Sequence, residues 1–560
     1  MKTFVWIPVA FLILFSQKSF AQSGDSLLVK NLKQHVYYLA SDKLQGRLTG
    51  SKGEKQAASY IIKQYKNINI SAMGSNGSFL QSFTFDKGKK PDGKNELLIN
   101  THKLKFGEDY FPINMSGNGK VKGSIVDVGY GISAPAIQYD SYKSQIDLRG
   151  KIFLMESSSP EGDDPHSKYA PYADIKGKVE KAIVHGAIAI IFINTNDKAD
   201  DPEASLDILS FESTIPIVFV KAEAWKNAKR DQLNVAELNV HLKTISVTGH
   251  NIVGFLDNHS ASTIVIGAHY DHLGHNELGG SLYRGEPAIH NGADDNASGT
   301  AGVIELARWL ATNGVTEKNN FLFINFSGEE EGLYGSKAWV SHPTYDTSKI
   351  NFMINMDMIG RYRSEKGLEI DGLGTSPDAF NFIRTMKFDS LKLILKEQGI
   401  GPSDFTSFYL ANIPVLFFFT GIHDDYHKPT DDADKINYGG ELEVLKFIEH
   451  ILIHLDNNGI LAFSKTQSTD HGDVPLFKVR LGIIPDYSFE EPGLRVDGID
   501  EGQPAAKAGI QKGDIILSLG DFNISDIYVY MKALSAFQKG DMTTVKVKRN
   551  NQELQLKVTF

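Results

Sequence analysis

Five short segments of this chain carry side chains that could do chemistry. In order they are His269-Tyr270-Asp271, Gly292-Ala293-Asp294-Asp295-Asn296, Glu329-Glu330-Glu331-Gly332-Leu333, Asn355-Met356-Asp357-Met358 and Tyr426-His427-Lys428-Pro429. They offer two imidazoles and several carboxylates, the donor set of a site for two zinc-like ions that activate water. Charge supports that reading. Asp294, Glu330 and Asp357 bring three negative charges and His269 and His427 are neutral as ligands. Two divalent ions and one hydroxide balance the three charges, whereas the same carboxylates without cations repel one another. Glu329 and Glu330 are adjacent, so one can bind metal while the other faces the water as general base. Each motif alone is weak. A Glu-Glu-Glu run is usually a solvated face, and Asp294-Asp295 would also serve to cap a helix starting near Asn296.

The elements around the motifs strengthen the case. Ile264 to Ala268, Phe321 to Phe326, Phe352 to Met356 and Val415 to Phe419 are apolar runs that read as buried strands. Helices are expected from Ala301 to Leu310 and from Leu442 to Leu455. This alternation over residues 241–458 predicts an α/β layered unit with a mixed, largely parallel sheet. His269 and Asp357 follow such strands at once and Glu329 within a few residues, where open α/β sheets place their sites. Leu28 to Leu39 and Glu54 to Tyr65 have helical spacing, with a loop at Asp42 to Arg47. Residues 116–240 read differently, as strands at Ser124 to Val128, Lys151 to Met155 and Ile215 to Val220 with a helix-to-strand unit from Val179 to Ile193. They form an insert. A polar linker, 459–475, leads to short strands over 476–560. The run Asp431-Asp432-Ala433-Asp434 reads as solvated.

The chain has 560 residues, enough for several cores, and no cysteine, so its metal ligands must be His, Asp or Glu. Lys2, an apolar run from Val5 to Phe15 and Ser19-Phe20-Ala21 read as an export signal over residues 1–21. Cleavage before Gln22 removes Lys2 and Lys18 and no acids, and moves the formal charge from -10 to -12. The expected location is periplasmic or secreted, without a lipid anchor on an N-terminal cysteine and without a membrane span after signal removal. The acidic balance argues against nucleic acid.

The motif set resembles the co-catalytic dizinc aminopeptidases, whose family includes glutamate carboxypeptidases and glutaminyl cyclases. The resemblance covers the N-terminal helices and residues 241–458, and implies a catalytic unit made of 22–115 and 241–458. It implies two zinc ions, for which cobalt or manganese would also fit. In it Asp294 matches the bridging ligand, with a cis bond to Asp295; Glu330 and His427 complete one ion, His269 and Asp357 the other. Glu329 matches the general base, Asp271 the carboxylate that orients the first histidine, and Tyr426 a tyrosine that steadies the oxyanion. The insert resembles a protease-associated domain, through Gly129-Tyr130-Gly131-Ile132, Asp147-Leu148-Arg149-Gly150-Lys151-Ile152 and the Gly186 region. The C-terminal unit resembles a bacterial PDZ domain, through Pro504 to Ile510 and Gly513-Asp514-Ile515-Ile516, with Leu481-Gly482-Ile483 as the loop that presents N–H groups to a peptide C-terminus. These likenesses imply an exported aminopeptidase that acts on peptides with a free N-terminus. A carboxypeptidase or other amidase on the same scaffold, and a PDZ-mediated binding protein with an inactive peptidase unit, are the alternatives.

Overall fold

The computed structural model describes residues 10–143, 147–162, 167–169, 172–196, 201–202, 212–228, 235–277, 280–283, 285–466, 479–485, 493–499, 503–524, 529–530, 533–534, 536–549 and 552–560. Its largest sheet is built around four parallel strands, in the order Asn320–Phe326, Thr263–His269, Ile350–Met356, Val415–Phe419. These are the four strands expected from the apolar runs. Every residue in them is buried, because helices cover both faces, and a strand buried on both faces needs a continuous apolar sequence. Ile264, Ile266 and Ala268 pack on one side with Ile61, Ile304 and Ile448. Val265, Leu322 and Ile324 pack on the other with Trp339, Phe405 and Phe408. The helices of the first face are Lys52–Asn67, Gly299–Thr312 and Tyr438–Leu455. Antiparallel strands flank the parallel set: Leu242–Leu256 beside Asn320–Phe326, and Leu368–Asp371 beside Val415–Phe419.

Leu242–Leu256 pairs with Leu80–Pro91 along a long antiparallel ribbon, down to Leu242 opposite Pro91. Beyond that point a second, eight-stranded sheet begins, in the order His102–Leu104, Glu96–Ile99, Val235–Val240, Gly119–Asp127, Ile152–Glu156, Ala189–Ile193, Ile217–Val220, Tyr110–Pro112. The insert therefore starts before residue 116. Glu96–Ile99 pairs with Val235–Val240, and Tyr110–Pro112 pairs with Ile217–Val220. Short strands whose partners lie more than a hundred residues away leave no local signature, which is why the texture of the sequence does not reveal that Glu96–Ile99 and Tyr110–Pro112 join the sheet.

At the C-terminal end, strands Ile483–Pro485, Leu494–Ile499, Ile515–Leu519, Met542–Arg549 and Gln552–Thr559 form one sheet around their own apolar core. Pro504–Ala508 is a short helix that ends at Gly509 with φ +78°, the left-handed cap that glycine favours. The export-signal expectation falls on residues 1–21. Residues 1–9 lie outside the described residues, and the backbone from Ala10 to Leu39 is helical. Part of the expected linker, 467–475, also lies outside them. Among the described residues no helix is long and apolar enough to cross a membrane.

Candidate metal centre

The strand ends bring the motifs together. His269 is the last residue of its strand and Asp357 follows Met356 directly. His269 Nε2 lies 3.3 Å from Asp357 Oδ1 and 3.4 Å from Asp295 Oδ1. His427 Nε2 lies 3.2 Å from Asp295 Oδ2 and 3.2 Å from Glu330 Oε2. One carboxylate thus faces both imidazoles, one oxygen to each, and it belongs to Asp295. This corrects the assignment to Asp294. Asp294 turns away: its Oδ1 accepts from the Gly360 N–H at 2.7 Å and from Ser298 Oγ at 3.0 Å, and its Oδ2 lies 3.1 Å from His423 Nε2. The cis bond likewise joins Asp295 to Asn296, not Asp294 to Asp295. Two adjacent aspartates look alike in sequence, and only the path of the backbone decides which faces the cluster. Gly292, at φ +58°, sets that path; a Cβ there would lie 2.1 Å from the Asp295 carbonyl oxygen.

Several supporting contacts come from residues outside the five motifs. Asp431 is buried and not solvated. Its Oδ2 accepts from the backbone N–H groups of Asp294, at 2.8 Å, and Asp295, at 3.1 Å. Asn296 Oδ1 caps the Gly299–Thr312 helix and also accepts from Met358 N–H, while its Nδ2 donates to Met356 O at 3.0 Å, tying Asp295 to the Asp357 strand. Ser403 Oγ donates to Asp357 Oδ2 at 2.8 Å. His427 Nδ1 lies 2.9 Å from Gly280 O, which leaves Nε2 for a ligand. Asp271 sits beside His269, yet its carboxylate is 3.7 Å from Nδ1, farther than its own backbone oxygen at 3.3 Å. The carboxylate accepts instead from the N–H groups of Glu329 and Glu330, at 3.3 and 3.4 Å. His272 Nδ1 lies 2.6 Å from Glu330 Oε1 but 3.9 Å from Asp295 Oδ2. The short distance is a hydrogen bond that aims Glu330, and His272, Asp295 and Glu330 also lie close enough together to hold an ion, as do His269, Asp295 and Asp357. Arg47, fully buried, donates to the carbonyls of Leu39, Tyr270, Asn291 and Gly292 and so locks three loops together. The position of His272 next to Asp271 was a signal for it; Asp431, Ser403 and Arg47 gave none.

Residues 251–451 match the model of peptidase family M28. That stretch is an M28-type unit. Residues 121–227 match the PA domain and 471–560 the PDZ domain. The aminopeptidase YwaD of Bacillus subtilis is 29% identical over 279 residues, which are 46% of this chain and 55% of that protein. A probable leucine aminopeptidase of Trichophyton verrucosum is 27% identical over 212 residues, 36% of this chain and 54% of that protein. The chain thus spans about half the length of the curated relatives it matches. The solved zinc aminopeptidase from Bacillus subtilis superposes with a TM-score of 0.40 at 21% identity, covering 78% of this chain and 95% of that one.

In this M28 unit the charge pattern asks for cations. Burial opposes charge on His269, but Asp357 and Glu329 outweigh it and carry the imidazole well above its ordinary range. Burial opposes charge on His427 too, and Glu330 and Asp295 raise it to about 10. Despite burial, His269 and His427 hold Asp295 well below the usual carboxylate range. Both imidazoles thus sit among carboxylates that favour positive charge beside them. The spacing fits metal as well. A tetrahedral ion with donors at about 2.0–2.1 Å separates those donors by about 3.3–3.4 Å, and the four imidazole–carboxylate distances are 3.2 to 3.4 Å. Glu329 differs from its neighbours. Burial, then Asp357, Glu330 and Asp404, push it well above the usual range against the pull of His269; its Oε2 is 3.9 Å from His269 Nε2. The Tyr426 ring stacks on His427 with centroids 3.9 Å apart. In the PDZ unit Leu481 is buried, its carbonyl accepts from Ala505 N–H at 2.7 Å, and Gly482 has φ +78°.

Proposed function

We propose that this protein is an exported metallo-aminopeptidase, with His269, Asp295 and Asp357 holding one divalent ion and His427, Asp295 and Glu330 a second. The observation that carries the proposal is the Asp295 carboxylate, whose two oxygens each face a different imidazole at 3.2 to 3.4 Å. Zinc-type ions bound there supply Lewis acidity and a water of lowered pKa. Glu329, held by its N–H on Asp271, is the group that accepts the proton of the attacking water and returns it to the leaving amine. A protonation state that burial and neighbouring carboxylates push upward suits a base that must also give its proton back. Tyr426 lines the cavity on the His427 side and is the donor we assign to the oxyanion. His272, Ser403 and Asp431 keep the donor atoms oriented.

The polarity of the cavity favours an N-terminal substrate. Its described lining includes Glu329 and Asp357, the two imidazoles and apolar side chains, and contains no Arg or Lys. Such a wall attracts an α-ammonium group and offers a C-terminal carboxylate no Arg or Lys partner. At the other end of the chain, Ile483–Pro485 is the edge strand of its sheet, where a peptide C-terminus adds as a further strand. The test is mass spectrometry of a peptide mixture, half of it acetylated at the N-terminus, incubated with zinc-loaded protein. Stepwise trimming of the free peptides alone is the expected result. Loss of C-terminal residues would make the enzyme a carboxypeptidase, and no metal-dependent cleavage would leave the PDZ unit as the functional part.

A further inference from the structure

The cavity beside the metal ligands has an apolar wall and an acidic floor. Met358, Pro402, Phe417, Phe419 and Ile422 line it together with Glu369. Glu369 lies on the strand Leu368–Asp371, directly opposite Phe419, and Asp371 lies opposite Phe417. Opposed residues of an antiparallel pair point to the same face, so both carboxyls are on the side of the sheet that carries the cavity. Both are nearly inaccessible to water, at 5% and 3% exposure. Lys396 reaches Glu369 Oε1 at 2.6 Å but does not belong to the cavity lining. One lysine therefore faces two carboxyls, and a second buried negative charge is costly, so one carboxyl keeps its proton unless a cation arrives. Asp371 Oδ1 is buried without a hydrogen-bond partner. Burial, with Asp371 adding to it against Lys396, pushes the Glu369 carboxyl up to about 8.

We infer that this cavity is the subsite for the residue released, and that Glu369 selects a long side chain ending in an ammonium or guanidinium group. The apolar wall packs the methylene stem, and the carboxyl meets the charged tip as the second cation of the Glu369–Asp371–Lys396 group. This inference rests on the aminopeptidase reading and adds the substrate class.

The experiment compares kcat/KM for matched peptides that differ only in a charged tip: N-terminal lysine against norleucine, and arginine against citrulline. The expected result is a preference of about tenfold or more for each charged member. In Glu369→Gln both ratios fall towards one. In Lys396→Met, which removes the competing cation, they rise. The comparison in the unaltered protein stands even if a variant fails to fold. Equal rates for lysine and norleucine peptides would overturn the inference while leaving an aminopeptidase in place. An equal drop on both members in Glu369→Gln would also overturn it, because the carboxyl would then serve the α-ammonium group or the fold. Failure to cleave any free peptide would remove the aminopeptidase reading and this inference with it.

Discussion

At the scale of single residues, the site turns on which of two adjacent aspartates faces the imidazoles. Asp295→Ala is expected to lose most bound zinc, whereas Asp294→Ala keeps it; elemental analysis of the two purified variants decides, and the opposite result would restore Asp294 as the bridge. Glu329→Gln is expected to retain metal and to lose about 10²- to 10⁴-fold in kcat, the usual worth of a general base. A near-normal rate would remove that role. Residue types singled out His269, Glu330, Asp357 and His427, which the fold gathers around Asp295, because such residues follow apolar strands. What sequence could not resolve was direction. Asp431 looked like a solvated acid because three acids cluster there, and its burial under the Asp294–Asp295 backbone depends on a turn that brings residues 137 positions apart into contact.

At the scale of elements, the four central strands were legible because burial on both faces demands apolar runs, while the ribbon strands Leu80–Pro91 and Leu242–Leu256 were not. Their polar, half-exposed residues carry no such demand. Loops were legible only where glycine or repeated acids marked them. The loop that leads into Asp295 holds one titration with a clear sign. Burial, with His272 adding to it, lowers His290 from its ordinary 6.5 to about 4; Nε2 lies 2.6 Å from Ser281 Oγ and Nδ1 3.1 Å from Ala288 O. A histidine whose folded pKa is depressed gives its full stability above pH 6.5 and loses it as pH falls towards 4. Its contribution should therefore decline by at most about 1.4 kcal/mol per unit across that window. Thermal melts of metal-free protein at stepped pH should show this slope, and it should be shallower in His290→Gln. An identical slope in the variant would assign the effect to other groups.

At the scale of the whole molecule, the boundary of the insert makes a prediction about excision. Pro91 and Leu242 face each other across the ribbon, so replacing residues 92–241 by Asn-Gly closes an ordinary two-residue hairpin. That variant should be soluble, monodisperse on size exclusion and equal to the parent in zinc content. Removing 116–240 instead leaves Glu96–Ile99 and Tyr110–Pro112 without their partners and should aggregate. If both behave alike, the ribbon is not the true junction. The ribbon also bears on the order in which the chain acquires structure. Its two strands can meet only after everything between them has been brought end to end, and closing so long a loop in an open chain is slow. Once the inserted sheet has formed, Glu96–Ile99 and Val235–Val240 are already neighbours, and the remaining loop is a few residues. The inserted unit therefore acts as a timer for the peptidase unit: its own folding rate sets when the ribbon can zip, and refolding followed by probes in each unit should show the insert first.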